Sequence, residues 1–366
     1  MQQILTQRLQ NQLLLDHDFQ NPEQVVKHML CMQSQDFKQH LRAISSRCWC
    51  SREDIEDAYN QWLIVKWWTQ RGTIHVVCAE DFQRMTALCA SKTLNGFAKR
   101  RAFLWITDQI ILHAEEIIRK ILSSGPKTRD TISNALKESG IPMQTGRNYH
   151  ILCHLGTQGI IVQWPIIEGD HAFVLTEQRI GDSNKYNEEQ ALQELCIRYF
   201  TSHGPATLAD LQWWSWLGIT VLKKGVELAG DILNCDNGYY YRRDALHESK
   251  NWKRSEIWKA DGSNQSLQPI IHFLAWYDER LLGYKDRTAT LDLDHHTKVD
   301  VSRNGVFKPT VMIDGKTVAI RSSKEKKSQC DVTITQFDTS RNLDFEKSSH
   351  NLTDYENFIG EKMLIH

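Results

Sequence analysis

SSGPKTRDTISNALKESGI at residues 123–141 and SHGPATLADLQWWSWLGI at residues 202–219 are two versions of one pattern: Gly-Pro-x-Thr, a helical stretch, then Gly-Ile. Recurrence of this kind marks a duplicated supersecondary unit. An amphipathic helix precedes each version, carrying Ile117, Ile118, Ile121 and Leu122 in the first and Leu192, Leu195, Cys196 and Tyr199 in the second. Three- and four-residue spacing puts each set on one face. Gly-Pro breaks that helix, and Thr128 or Thr207 caps the next. Gly140 or Gly218 is expected to end it in left-handed backbone. A third helix follows, from Arg147 to a stop at Gly156 in the first version and over 220–228 in the second. Strand-forming residues come next, at 160–164 and 172–176 around a Gly169-Asp170 turn, and at 238–242. Three helices and a hairpin in this order make a winged helix, a helix-turn-helix variant whose third helix can enter a DNA groove.

Working outward, the N-terminal part reads as a looser third copy. A helix over 22–32 has Asn21 as its cap, Pro22 at its first position and Val25, Val26, Met29 and Leu30 on one face. A second helix is predicted over 53–59, then a β-prone run from Trp62 to Val77 interrupted at Arg71-Gly72. Residues 81–119 are expected to be helical and to link this copy to the next. Beyond residue 265 the pattern alternates around Asn304-Gly305 and Asp314-Gly315, as in an antiparallel β-unit, with residues 292–296 in a solvated strand and turn. The predicted fold class is α+β, with three tandem winged-helix domains followed by a C-terminal antiparallel β-barrel-like domain. The expected boundaries are 1–112, 113–185, 186–250 and 251–366.

The 366 residues are 41 % hydrophobic and 24 % charged, ordinary for a folded chain and long enough for several compact units. No apolar run approaches the ~20 residues that span a bilayer, and the N-terminus has no basic start and no apolar core of a signal peptide, so a cytoplasmic protein is expected. Nine cysteines stand scattered without a CxxC pair, which predicts buried, reduced thiols and neither a disulfide framework nor a zinc site. The formal net charge is −1, so any affinity for nucleic acid must come from a local basic surface. Lys99, Arg100 and Arg101 form the densest basic cluster. Lys324, Lys326 and Lys327 read better as a solvated loop.

No Walker loop, GxGxxG, HExxH or zinc-deaminase signature occurs, and no nucleotide, metal or other cofactor is expected. Asp292, Asp294, His295 and His296 fit a solvated segment better than a metal site. Two stretches hold polar residues in unusual places. In Gln33-Ser34-Gln35-Asp36, Gln33 continues the apolar stripe of the helix before it, where an unpaired amide costs about 1–3 kcal/mol. Gln33 and Gln35 share a face only if the backbone there is extended. A plain helix terminus capped by Asp36 is the alternative. In Trp67-Trp68-Thr69-Gln70-Arg71-Gly72-Thr73-Ile74-His75, the glycine signals a bend or a close approach. There Arg71, Thr73 and His75 can meet phosphates, or Arg71 can form a buried ion pair. The Trp213-Trp214-Ser215-Trp216 stretch reads as helix packing rather than as a stacking platform.

At these residues the sequence resembles the winged-helix DNA glycosylases of the AlkZ and YcaQ type. The marks are Gln7-Arg8-Leu9, Gln33-x-Gln35-Asp36, the run from Arg71 to His75, Gly204-Pro-Ala-Thr, the run from Tyr277 to Tyr284 and the Gly305-x-Phe307-x-Pro309 run. They span nearly the whole chain in the expected order. The resemblance implies three winged-helix units and a C-terminal β-barrel around a DNA cleft. It also implies excision of N7-alkylated purines and, in some members, unhooking of interstrand crosslinks. Gln33 and Gln35 match the catalytic Gln-x-Gln motif, with Ser34 departing from an aliphatic centre. Duplex DNA containing alkylated bases is the expected partner. Arg71, Thr73, His75, Lys99, Arg100, Arg101, Arg147, Asn148 and His150 are the candidate DNA contacts. Release of the base without strand cleavage is the expected chemistry, since Lys38 is the one lysine near the pair in sequence. The rival is a winged-helix regulator that binds duplex DNA without chemistry. A protein–protein scaffold would also fit the near-neutral charge.

Overall fold

The structure is a computed structural model that describes residues 2–15, 19–48, 50–143, 146–167, 170–180, 187–244, 270–300, 306–325, 329–339, 356, 358 and 362–365. The chain opens with helix α1 (Gln2–Asn11), α2 (Pro22–Met29), a two-residue strand β1 (Met32–Gln33), α3 (Phe37–Ser45) and α4 (Arg52–Asn60). The hairpin β2 (Ile64–Trp68) and β3 (Ile74–Cys78) follows. Next come α5 (Phe82–Gly96), α6 (Ala98–Phe103), α7 (Asp108–Leu122), α8 (Arg129–Glu138), α9 (Arg147–Thr157), β4 (Ile161–Ile167) and β5 (Asp170–Leu175). The second repeat supplies α10 (Glu188–Ser202), α11 (Leu208–Ser215), α12 (Ile219–Ala229), β6 (Leu233–Asp236) and β7 (Tyr239–Arg242). The C-terminal part holds β8 (Ile271–Phe273), α13 (Glu279–Leu282), α14 (His296–Val299), β9 (Thr310–Ile313), β10 (Lys316–Glu325), β11 (Gln329–Gln336) and β12 (Lys362–Ile365).

The two Gly-Pro-x-Thr runs play the same double part. Thr128 Oγ1 accepts the Thr131 N–H at 3.3 Å, and Thr207 Oγ1 accepts that of Asp210 at 3.2 Å. In the second copy Asp210 returns the bond to the Thr207 N–H, closing a capping box. The residue between Pro and Thr then adds a one-residue strand to its own hairpin. Lys127 exchanges two backbone bonds with Phe173, and Ala206 does so with Tyr240. The motif therefore serves both the helix it starts and the hairpin that helix packs on.

The helix ends differ from expectation in places with physical causes. Gly140 is left-handed as expected, at φ 85°. Gly218 is not: its φ is −69°, and Trp216 takes the left-handed position at φ 65°. There α11 stops early because the Ser215 hydroxyl bonds back to the Leu211 carbonyl and accepts the Leu217 N–H. Gly156 does not stop α9 but lies within it, where a Cβ would stand 2.4 Å from the Trp68 ring. Helix α2 ends at Met29, three residues sooner than predicted, with Leu30 at φ 67°. Helix α3 has no counterpart in the sequence pattern, and the helical stretch expected over 81–119 is made up of α5, α6 and most of α7. Residues 293–299 form helical turns rather than a strand, with Asp292 paired to Lys316. Cys48 and Cys50 are bonded to each other, against the expectation of thiols throughout; their spacing is CxC, not CxxC. The expected turns at Gly169 and Asn304-Gly305, the boundary near residue 250, and Lys326 and Lys327 lie outside the described residues.

Two sheets organise the rest. One runs β1-β3-β2-β4-β5, antiparallel throughout, so the N-terminal hairpin and that of the first repeat are a single sheet joined at Lys66 and Gln163. The second repeat keeps its hairpin, β6-β7, as a separate pair. The C-terminal strands form a curled half-barrel in the order β12-β11-β10-β9-β8. This sheet is not wholly antiparallel, because β12 runs parallel to β11. The largest buried cluster joins Trp67, Phe82 and Met85 to Leu195, Tyr199, Phe200 and Trp214, so the second repeat packs directly behind the shared sheet. Helix α1 seals the junction with the half-barrel: Leu5 and Leu9 pack on Leu274 and Met312, while Arg8 donates to the Pro205 carbonyl and lies over the Tyr284 ring.

Candidate active site

The backbone decides how the Gln33-Ser34-Gln35 stretch is presented. With α2 ended at Met29, the chain runs extended and pairs with β3, Met32 opposite Val76 and Gln33 opposite His75. The Ser34 N–H donates to the Ile74 carbonyl at 2.8 Å, which carries the pairing one residue further. The two glutamines then differ. Gln33 is 7 % exposed, and its Oε1 is buried without a hydrogen-bond partner. Gln35 lies exposed in the bend that leads to Asp36, the cap of α3.

Ser34, between them, is fully buried. Its hydroxyl bonds His40 Nδ1 at 3.1 Å, and the Tyr59 hydroxyl bonds His40 Nε2 at 2.7 Å. A polar residue at the centre of the stretch is thus paired inside the core, avoiding the cost of a lone buried hydroxyl. Burial pushes the His40 imidazole well below its ordinary pKa, so the relay is neutral.

Behind Gln33 lies a buried carboxylate, Glu279, at the start of α13. It is 1 % exposed, and its Oε1 accepts the Gln33 backbone N–H at 3.1 Å. Its Oε2 accepts Trp214 Nε1 at 3.0 Å and lies 3.6 Å from His203 Nε2. Burial alone would raise its pKa, but His203, His75 and Arg71 outweigh that and hold it below the usual carboxylate range. The residue before it is fixed as firmly: Asp278 takes a bidentate pair from buried Arg47 at 2.9 and 2.7 Å. Sequence reasoning picks out the Tyr277–Tyr284 run without giving Glu279 a role, and reads Trp214 as packing. Nothing local marks either, since their partners are 246 and 65 residues away.

The Arg71-to-His75 stretch closes the other side. His75 is fully buried, with Nδ1 2.6 Å from Thr69 Oγ1 and 3.0 Å from the Thr73 carbonyl, and with Nε2 unpaired. Burial, then Arg71, pulls its pKa down to about 3. Arg71 sits at φ 58° with Nε and Nη2 buried and unpaired, and burial lowers its pKa despite the pull of Glu279. Gly72 follows at φ 67°, where a Cβ would stand 2.3 Å from the Phe97 ring. Thr73 is half-buried. His75 therefore faces Gln33 from within the sheet, not a surface where a phosphate could reach it.

Phe97 leads into α6 and a basic face. Lys99 and Arg100 are exposed, and Arg101 binds Asp108 at 2.5 Å and His154 at 3.1 Å. Asn148 and His150, at the start of α9, are half-buried beside this face: His150 contacts the Phe97 ring, and Arg100 lies 3.9 Å from where a Gly146 Cβ would stand. Arg147 is placed otherwise. It is 3 % exposed and donates to the Leu104 carbonyl through Nε and Nη2 and to the Pro142 carbonyl through Nη1, which commits its guanidinium to the fold. Among the described residues no group of acidic, His or Cys side chains is arranged to hold a metal ion. No described helix is long and apolar enough to cross a membrane.

Helix–hairpin units on a shared sheet, with a buried amide at its edge and a basic face beside it, suit an enzyme that works on DNA. Over residues 26–358 the sequence matches the AlkZ-like DNA glycosylases, and the chain belongs to that family. Its structure is similar to that of the Streptomyces sahachiroi DNA glycosylase AlkZ, with a TM-score of 0.79 and 19 % identity. That match covers 100 % of this chain and 99 % of the other, and at that identity it establishes a common fold. No curated protein matches the sequence.

Proposed function

We propose that this DNA glycosylase hydrolyses the N-glycosidic bond of N7-alkylated purines in duplex DNA, with Gln33 and Gln35 placing the attacking water. The three helix–helix–helix–hairpin runs are read as winged-helix units, over 1–112, 113–185 and 186–250, with 251–366 as the C-terminal β-unit. The observation that carries the proposal is the unpaired, buried Gln33 Oε1, an acceptor held ready beside an exposed second amide.

An N7-alkylated purine is cationic, so the C1′–N9 bond breaks with its electron pair passing to the base and quenching that charge. The sugar is left as an oxocarbenium ion. Water adds to C1′, its extra proton goes to solvent, and an abasic site and a neutral alkylpurine remain. Such a leaving group needs no acid. The protein has to hold water and cation in register, an effect of positioning and electrostatics. The surroundings suit that role, because His75, with its pKa near 3, is a poor base. The Glu279 carboxylate is occupied by Gln33 and Trp214.

Lys66 is buried against His171, with its pKa lowered to about 7 by burial; Lys38 is exposed on α3. This supports release of the base without a Schiff-base step. The exposed position of Gln35 suits a cleft open enough for bulky or crosslinked adducts. Lys99, Arg100, Arg101, Asn148 and His150 form the DNA-facing side, with Arg71, Thr73, His75 and Arg147 supporting it from within. The test is base release from an oligonucleotide duplex holding one N7-methylguanine, followed by alkaline cleavage of the abasic site. Release from that duplex and none from unmodified guanine is expected. Sequence-selective binding without release, also with a bulkier adduct, would instead support the regulator.

A further inference from the structure

We propose that Phe103 and Trp105 form an aromatic wedge that stacks on bases of duplex DNA, held out by Arg147 and steered by Lys99 and Arg100. The proposal rests on the glycosylase reading for its substrate and adds a DNA contact which that reading does not contain.

Helix α6 is unusual in burying none of its side chains. At its end Phe103 is 69 % and Trp105 74 % exposed, two of the three most exposed large aromatic or aliphatic side chains among the described residues of the N-terminal half. Large apolar groups exposed to water two residues apart mark a surface that meets something else. Trp105 is moreover held at φ 55°, a backbone position that residues with a Cβ seldom adopt. The turn that imposes it is closed from both sides. The Trp105 N–H donates to the Ala102 carbonyl and the Ile106 N–H to the Arg101 carbonyl, both at 3.0 Å. Between the two rings, Leu104 points inward and is 4 % exposed. Its carbonyl receives Arg147 Nε at 3.0 Å and Nη2 at 2.7 Å. Two nitrogens of the buried Arg147 guanidinium thus fix the Leu104–Trp105 peptide, one of the two peptides between the aromatic side chains.

The chemistry around the rings selects the partner. Lys99 and Arg100 are exposed on the same helix, which has no acidic residue, and the Arg100 guanidinium lies 5.0 Å from the centre of the Phe103 ring. Aromatic faces beside exposed cations match stacked bases beside phosphates. The centre of a protein–protein interface is instead depleted in lysine. Helix α6 is joined to the Arg71-Gly72 turn by packing at its start. Phe97, which opens into α6, packs on Gly72, and the half-exposed Trp216 ring lies against Gly96 one residue earlier. A wedge here would separate base pairs next to the nucleotide presented to Gln33 and Gln35, as apolar wedges do in other DNA-bending proteins.

The test uses the full chain and a duplex with a single abasic analogue flanked by 2-aminopurine, whose fluorescence rises on unstacking. The wild-type protein is expected to raise it on binding. Phe103→Ala with Trp105→Ala is expected to abolish the rise and to weaken binding about 5- to 100-fold, with an unchanged melting temperature because both rings are exposed. Arg147→Met, which keeps the bulk but frees the Leu104 carbonyl, is expected to reduce the rise while Phe103 and Trp105 remain. Unchanged affinity and fluorescence in the double variant would overturn the wedge. So would sedimentation showing that the wild type self-associates through these rings and the double variant does not. Base release from N7-methylguanine by the wild type, measured in parallel, decides the glycosylase reading separately.

Discussion

The Arg71-Gly72 turn separates two polar regions built on opposite terms. Behind it, Gln33, His75, Glu279 and His203 are buried, with burial lowering the pKa of both imidazoles and the carboxylate accepting hydrogen bonds from Gln33 and Trp214. In front, Lys99, Arg100, Phe103 and Trp105 stand in solvent with little to hold them but the turn beneath. A region fixed before substrate arrives can orient a reaction, since no reorganisation is left to do. A solvated, charged face can attract and grip a polyanion but cannot hold an atom to a fraction of an ångström. The proposed function divides the labour along the same line: turnover behind the turn, affinity in front of it.

The sharpest way to break that division is at Glu279. Glu279→Ala leaves the Gln33 N–H and Trp214 Nε1 without their acceptor, and a misplaced amide is expected to lower single-turnover base release about 10²-fold. Duplex affinity should stay within about threefold, the order of change expected for a group that touches no DNA. Glu279→Gln keeps an acceptor for the Gln33 N–H and should recover much of the rate. Equal losses in rate and affinity, or no rescue by Gln, would show that Glu279 serves the fold alone.

In front of the turn the expected effect is smaller and of another kind. Lys99→Ala with Arg100→Ala should weaken duplex binding several-fold at low salt. It should flatten the dependence of log K on log salt by about 0.9 for each phosphate that the variant no longer neutralises. The release rate at saturating DNA should not move. A changed rate with an unchanged salt slope would place these residues in the wrong region.

The smallest effect concerns stability against pH. His75 and His272 are both buried, with pKa values pulled down to about 3 and about 4 by burial. In the unfolded chain each imidazole takes a proton near the ordinary value of 6.5. Between those limits the unfolded state binds more protons, so stability falls as pH falls, by at most about 1.4 kcal/mol per pH unit for each group. Thermal melts from pH 7 to 5 should show a declining midpoint, with a shallower slope in His75→Asn. A midpoint that rises on acidification would contradict the burial of neutral imidazoles.

Much of this architecture is legible in the sequence where the signal is local. The Gly-Pro-x-Thr repeat announces its caps at Thr128 and Thr207, and Asn21-Pro22 announces the start of α2. Asp314-Gly315 marks the β9–β10 turn, with both residues at positive φ. What stays hidden depends on distant partners. The end of α2 is set by the pairing of Met32 and Gln33 with β3, not by any breaker in the helix. The joining of two hairpins into one sheet at Lys66 and Gln163 leaves no trace in either hairpin's pattern. The Gln33-x-Gln35 stretch can be noticed but not judged, because the carboxylate that receives the Gln33 N–H, Glu279, lies 246 residues further along the chain. Arg147 is the reverse case: its place at a helix start suggests a DNA contact, and only the structure reveals three of its nitrogens on backbone carbonyls.

The most direct test of the whole account is single-turnover release of N7-methylguanine from duplex DNA by the Gln33→Ala, Gln35→Ala variant, with its duplex affinity measured on the same preparation. Release reduced by about 10²-fold or more at nearly unchanged affinity is the predicted result. Release at the wild-type rate would contradict the assignment of water placement to this pair.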